Sequence, residues 1–138
     1  LGCEMTKPKS PPCPTEYEEQ RAVVDWCRQY ARFAGFEQLG LVHGDSSGVR
    51  VPIGCALKMK KAGAIKGWPD LFLPVPLESQ PGQYHCCGLF IELKRRHGGV
   101  VSREQKEIHK LLRAQGYRVE VCKGADAAIQ AIIDYLGL

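Results

Sequence analysis

Asp70, Glu92 and Lys94 are the charges in this sequence that ordinary surface placement explains least well. Each sits at the end of a short apolar run: G-W-P-D-L-F-L-P has Asp70 before its apolar residues, and G-L-F-I-E-L-K has Glu92 and Lys94 at its finish. Runs of this length read as strands, and isolated charges inside buried strands are costly. In an antiparallel pair the start of one strand lies beside the end of the other, which brings Asp70 to Glu92 and Lys94. Two carboxylates and an ammonium at one point are the ingredients of a divalent-cation site. Mg²⁺ (or Mn²⁺) takes oxygen ligands and keeps several waters, so Asp70, Glu92 and the backbone carbonyl of Leu93 would suffice. A lysine on the same strand face as Glu92 can orient or help deprotonate an attacking water and offset phosphoryl charge. Metal-assisted phosphodiester hydrolysis is the chemistry that fits. Taken singly, P-D and E-x-K are weak motifs; their order and surroundings carry the weight.

The juxtaposition sets a condition on the intervening chain. A two-residue fold point at Pro81-Gly82, a good type II turn pair, would set Asp70 opposite Leu93 and split the charges. A longer irregular loop or a bulge is therefore expected in E-S-Q-P-G-Q-Y-H-C-C.

The flanking elements follow from local signals. Residues 1–14, with four prolines and no periodicity, read as a disordered lead-in to one domain spanning 15–138. Thr15 and Glu18 form a capping box that opens a helix to about Ala34, with Glu16, Glu19, Val23, Trp26, Cys27 and Tyr30 along one face. Leu39–His43 reads as a short strand, G-D-S-S-G as a loop, and Pro52–Ala62 as a modest helix carrying Lys58, Lys60 and Lys61. After Lys94 comes a basic loop, then a second capping box, S-R-E-Q, opening a helix to about Ala114. Y-R-V-E-V-C alternates as a strand with Tyr117, Val119 and Val121 on one face, and Gly124–Leu136 is a last amphipathic helix. Strand, helix and strand after Glu92 imply one right-handed crossover. The fold class is α/β: a central mixed sheet flanked by helices.

Composition narrows the partners. The chain has 138 residues and a net charge of +4, compatible with nucleic acid. No run is long enough to span a membrane and the N-terminus lacks a signal-peptide core, so the expected location is cytoplasmic, in a bacterial or phage-infected cell. Seven scattered cysteines without a C-x-x-C pair read as reduced thiols, and His85, Cys86 and Cys87 lack the partner spacing of a zinc site. Lys60, Lys61 and Lys66 before Asp70, and Arg95 and Arg96 after Lys94, flank the acids as clusters suited to phosphates.

Gly67-Trp68-Pro69-Asp70-Leu71, Ile91-Glu92-Leu93-Lys94, Val101-Ser102-Arg103-Glu104-Gln105 and Gly116-Tyr117-Arg118-Val119 occur in that order, after Thr15-Glu16-Tyr17-Glu18-Glu19-Gln20. This set resembles the PD-(D/E)XK nuclease superfamily, and more closely its virus-type replication-repair nuclease (VRR-NUC) branch, over nearly all of residues 15–136. The resemblance implies a restriction-endonuclease-like αβ sandwich and divalent-metal-dependent DNA cleavage. Stand-alone viral and bacterial members are similar to Holliday-junction resolvases, and the same domain is fused into a eukaryotic structure-specific repair nuclease. The family's metal-binding aspartate falls on Asp70, its glutamate on Glu92, its lysine on Lys94 and its first-helix glutamate on Glu19, with Glu16 the alternative. Gln105 matches the glutamine that follows the E-x-K strand; it can equally be the capping residue of its own helix. A four-way junction has two-fold symmetry, so a resolvase of this kind is expected to be a homodimer. The other readings are a flap- or nick-directed repair nuclease and a DNA-binding module without catalysis.

Overall fold

In the computed structural model, residues 12–45 and 51–138 are described. Positions 1–11 of the expected lead-in and 46–50 of the expected glycine-bounded loop lie outside them. The first helix, α1 (Glu16–Tyr30), starts at the Thr15–Glu18 capping box, with both reciprocal hydrogen bonds formed. It buries Glu19, Val23 and Cys27. Its end precedes the expected one: Ala31 is the C-cap, and turns lead to Gly35, which has a φ of 89°.

The expected strand at Leu39–His43 is mostly a 3₁₀ helix, Glu37–Leu41, followed by the two-residue strand β1 (His43–Gly44). Only Leu39 of that helix is buried, and Leu41 is 54 % exposed. A segment with one inward side chain gains little from strand alternation, and a tight turn satisfies it. The basic segment forms α2 (Ile53–Lys61), none of whose residues is buried.

The strand after Asp70 is β2 (Leu71–Leu73), and the strand ending in Lys94 is β5 (Leu89–Lys94), buried at all six positions. Between them β3 (Leu77–Gln80) and β4 (Gln83–Cys86) form a separate two-stranded sheet. Pro81-Gly82 is the tip of that hairpin, with Gly82 at a φ of 78°. The tight turn therefore exists, but its arms carry register shifts on both sides of Glu78. Unbroken pairing from Gln80↔Gln83 would have set Asp70 against Leu93. The shifted arms and the break between sheets give Leu71↔Ile91 and Phe72↔Phe90 instead, so the next position sets Asp70 against Glu92.

The chain continues through α3 (Arg103–Ala114), β6 (Arg118–Lys123) and α4 (Ala125–Leu136). The main sheet runs β1-β2-β5-β6; β6 is parallel to β5 and the other pairs are antiparallel. Helices α1 and α4 cover one face, where Val23, Cys27, Leu71, Leu73, Ile91, Leu93, Ala128 and Ile132 make the main core. On the other face Phe90, Leu112 and Val119 form a smaller cluster with Trp68, Phe72, Ile108 and Tyr117 beneath α3. At the end of that strand Val121 is 40 % exposed, while Cys122, on the opposite face, is buried in the main core.

Candidate active site

Strand alternation puts Asp70 and Phe72 of one strand, and Phe90, Glu92 and Lys94 of its neighbour, on the α3 face. The aromatics form the floor: Phe72 stacks on Phe90 with centroids 4.3 Å apart, and Trp68 meets Phe90 edge-on at 5.6 Å. Beyond them the charges lie at the rim of the helix-covered region. Glu92 is 1 % exposed and Lys94 6 %.

The Asp70 Oδ2 accepts a hydrogen bond from the Leu93 N–H at 2.6 Å. Glu92 Oε1 accepts from Gln105 Nε2 at 2.7 Å and lies 3.7 Å from Lys94 Nζ. Lys94 Nζ donates to Gln105 Oε1 at 2.9 Å. Gln105 is therefore both things the sequence allowed: its Oε1 also accepts from the Ser102 N–H at 2.8 Å, closing the second capping box. The first turn of α3 is thereby tied to the strand that carries the acid and the lysine.

The electrostatics of the pair are strained in a way that invites a cation. Burial, then the neighbouring Asp70 charge, pushes the Glu92 carboxyl up to about 8, although Lys94 opposes the shift. Burial also raises Asp70, against the lowering effect of the Leu93 N–H. Both carboxyls also feel the charge of Glu16 at the start of α1.

Glu19 is positioned differently. Its Oε1 accepts from Arg96 Nε at 2.8 Å and its Oε2 from the Ala125 N–H at 2.6 Å. A buried carboxylate at the N-terminus of α4 satisfies free N–H groups there and complements the helix dipole. Glu19 thus ties α1, α4 and the loop after Lys94 together, while Glu16 is the α1 carboxylate whose field reaches the Asp70–Glu92 pair. We expect Glu19→Gln to lower the melting temperature by several degrees, whereas Glu16→Gln leaves it unchanged and lowers cleavage. Thermal melts and cleavage rates of the two variants check this.

Of the basic residues expected to meet phosphates, Lys60 and Lys61 stand exposed on α2. Lys66 pairs with Glu104 at 3.3 Å, Arg95 donates to the Cys13 carbonyl at 3.1 Å, and Arg96 is held by Glu19.

Comparison with known proteins bears on the same residues. The VRR-NUC domain model matches residues 15–126. The chain belongs to the VRR-NUC family. A solved structure titled "VRR_NUC domain protein" is similar at a TM-score of 0.73 and 29 % identity, over 93 % of each chain. Comparison with curated proteins found no match. The mixed α/β architecture is therefore that of a VRR-NUC domain, and the family is one of nucleases.

Within this VRR-NUC chain the donor set fits a hard divalent cation. Among the described residues no group of three or more His, Cys, Asp or Glu forms a ready cage. Mg²⁺ does not need one, since it is commonly bound through one or two carboxylates and keeps its waters. A repelling, buried carboxylate pair with its charges raised toward neutrality is what such an ion would relieve.

Two contributors went unread in the sequence. His109, 2 % exposed on α3, places its Nε2 3.2 Å from Glu92 Oε2. Its imidazole is held below the ordinary histidine value by burial, then by Arg113 and Lys94. The available signal was the Gln105-x-x-x-His109 spacing, which stacks the two on one helix face. The other is Gly67, at a φ of 88°, where an added Cβ would fall 2.8 Å from the Glu104 carbonyl carbon and 2.9 Å from the Gln105 nitrogen. Gly67 lets the Trp68-Pro69-Asp70 segment press against the first turn of α3. Gly67→Ala is expected to cost about 1–3 kcal/mol from backbone strain alone, with the clash added. Urea unfolding measures the loss, and cleavage falls with it as α3 is pushed from Glu92.

Proposed function

We propose that this chain is a divalent-metal-dependent, structure-specific DNA endonuclease that hydrolyses phosphodiester bonds in branched DNA, with four-way Holliday junctions as the preferred substrate. The observation that carries this reading is the register pairing Leu71 with Ile91, which sets Asp70 against Glu92 and puts Lys94 on the same face. Asp70, Glu92 and the carbonyl of Leu93 would hold Mg²⁺ or Mn²⁺. When bound, such an ion polarises the phosphoryl group and lowers the pKa of water. Lys94, held in line by Gln105, orients the attacking water or offsets charge on the phosphoryl oxygens. Gln105 keeps Glu92 and Lys94 at a fixed separation. Glu16 adds a further carboxylate whose charge acts on the pair. Lys60, Lys61, Lys66, Arg95 and Arg96 are proposed to contact phosphates, Lys60 and Lys61 most directly because they are exposed on a helix outside the core.

A symmetric junction needs two opposed cuts, so a homodimer presenting two such sites is part of the proposal. Cleavage of end-labelled four-way junction, flap and linear duplex in Mg²⁺, with the mass in solution measured alongside, tests it. Paired symmetric cuts in the junction by a dimer support the resolvase reading. A monomer making single cuts in the flap would replace it with a flap-directed repair nuclease. DNA binding without cutting in Mg²⁺ and in Mn²⁺ would leave only a binding module.

A further inference from the structure

We infer that His109 is a positioning residue for Glu92, donating its Nε2–H to Oε2 while Gln105, one helical turn earlier, donates to Oε1. This rests on the proposal that Glu92 is a metal ligand. The geometry is a two-point grip on one carboxylate. His109 Nε2 lies 3.2 Å from Oε2 and Gln105 Nε2 lies 2.7 Å from Oε1. Both donors come from α3 at i and i+4, the spacing that aligns side chains on one face. A carboxylate held at both oxygens cannot rotate about its last torsion, and that torsion decides which lone pairs face Asp70 across the strand pair. Each carboxylate oxygen can accept more than one partner, so the grip leaves lone pairs for a cation. Neutral imidazole suits the task, because it donates without adding a positive charge that would repel the ion.

Packing alone does not account for a histidine at this point. Its neighbours on α3 are Ile108 and Leu112, which join the aromatic cluster beneath the helix, and a leucine at 109 would fill the same kind of space without a buried polar ring. Outer partners that orient a metal ligand typically change metal affinity 10–100-fold when removed.

The experiment is titration calorimetry of Mn²⁺ into the full chain and its His109→Leu and His109→Gln variants, with melting curves in EDTA. The inference expects wild type to bind Mn²⁺, His109→Leu to bind it roughly 10–100-fold more weakly with an unchanged or higher melting temperature, and His109→Gln to recover most of the affinity through its amide N–H. Cleavage by His109→Leu should fall at limiting Mn²⁺ and recover as Mn²⁺ is raised. Equal Mn²⁺ affinity in wild type and His109→Leu overturns the inference and leaves the metal site standing. No Mn²⁺ binding by wild type overturns the metal site itself. ¹⁵N NMR of the wild type in EDTA reads the tautomer independently of any variant's folding: an Nε2 proton supports the grip, and a ring protonated only at Nδ1 contradicts it.

Discussion

Lys94→Met is expected to reduce cleavage by about 10²–10⁴-fold, the usual contribution of a positioned proton-transfer or charge-stabilising group, while the protein stays folded. The side chain is almost wholly buried at the end of β5, and its Nζ is bonded to Gln105 and 3.7 Å from Glu92. Methionine keeps the length and packing of the stem and removes the ammonium. Two consequences follow. The attacking water loses its orienting partner, and Glu92 loses the nearby cation that opposes its neutralisation. The variant's cleavage rate at saturating Mg²⁺, with circular dichroism and a thermal melt to confirm the fold, separates a chemical role from a structural one. Normal rates in a folded Lys94→Met protein would remove Lys94 from the reaction.

Asp70→Asn should abolish cleavage and, in EDTA, stabilise the fold. The asparagine Oδ1 can still accept the Leu93 N–H that Asp70 Oδ2 takes at 2.6 Å, and its amide N–H can donate to Glu92. A buried carboxyl pair is thereby exchanged for a neutral–charged pair with better hydrogen bonding. Removing the Asp70 charge takes away one of the causes that raise Glu92, so the melting temperature of the variant in EDTA is expected to rise. The pH dependence has a definite sign. Glu92 is raised from an ordinary 4.5 to about 8, so between those values the folded protein holds a proton that the unfolded chain has released. That stability is complete below about 4.5 and is lost as pH rises through about 8. Asp70→Asn removes one of the causes and should flatten the slope without erasing it, since burial of Glu92 is the larger cause. Melts of the two proteins between pH 5 and 8 (roughly the window these values define) check the prediction. In wild type, added Mg²⁺ should raise the melting temperature by binding only the folded site; in Asp70→Asn it should not.

The parts of this molecule that depend on local chemistry were readable from its sequence. Both capping boxes, Thr15–Glu18 and Ser102–Gln105, act over three residues and need no tertiary context. The two apolar strands with charged ends, the α3 crossover and the final helix follow from periodicity. What escaped depends on contacts between distant elements. Glu16 and Glu19 both read as candidates for the first-helix acid. Only the packing of α1 against α4 shows that Glu19 is taken by Arg96 and the Ala125 N–H. His109 reads as a polar residue interrupting an apolar stripe until α3 is laid across β5. The Leu39 segment has the composition of a strand and folds as a 3₁₀ turn because one inward side chain is all the core accepts there. The Pro81-Gly82 turn was identifiable, but its place at the tip of a separate hairpin was not, since register shifts on either side of Glu78 arise from pairing rather than from any residue's propensity.

The register that joins Asp70 to Glu92 matters only if the pair holds a cation that cuts DNA. The direct measurement is cleavage of a labelled four-way junction by the wild-type chain and by Asp70→Ala, each in Mg²⁺ and in excess EDTA. Cutting by wild type in Mg²⁺ alone, with none in EDTA and none by Asp70→Ala, is the expected result. Cutting that survives EDTA, or that persists in Asp70→Ala, would contradict a metal-dependent nuclease centred on Asp70, Glu92 and Lys94.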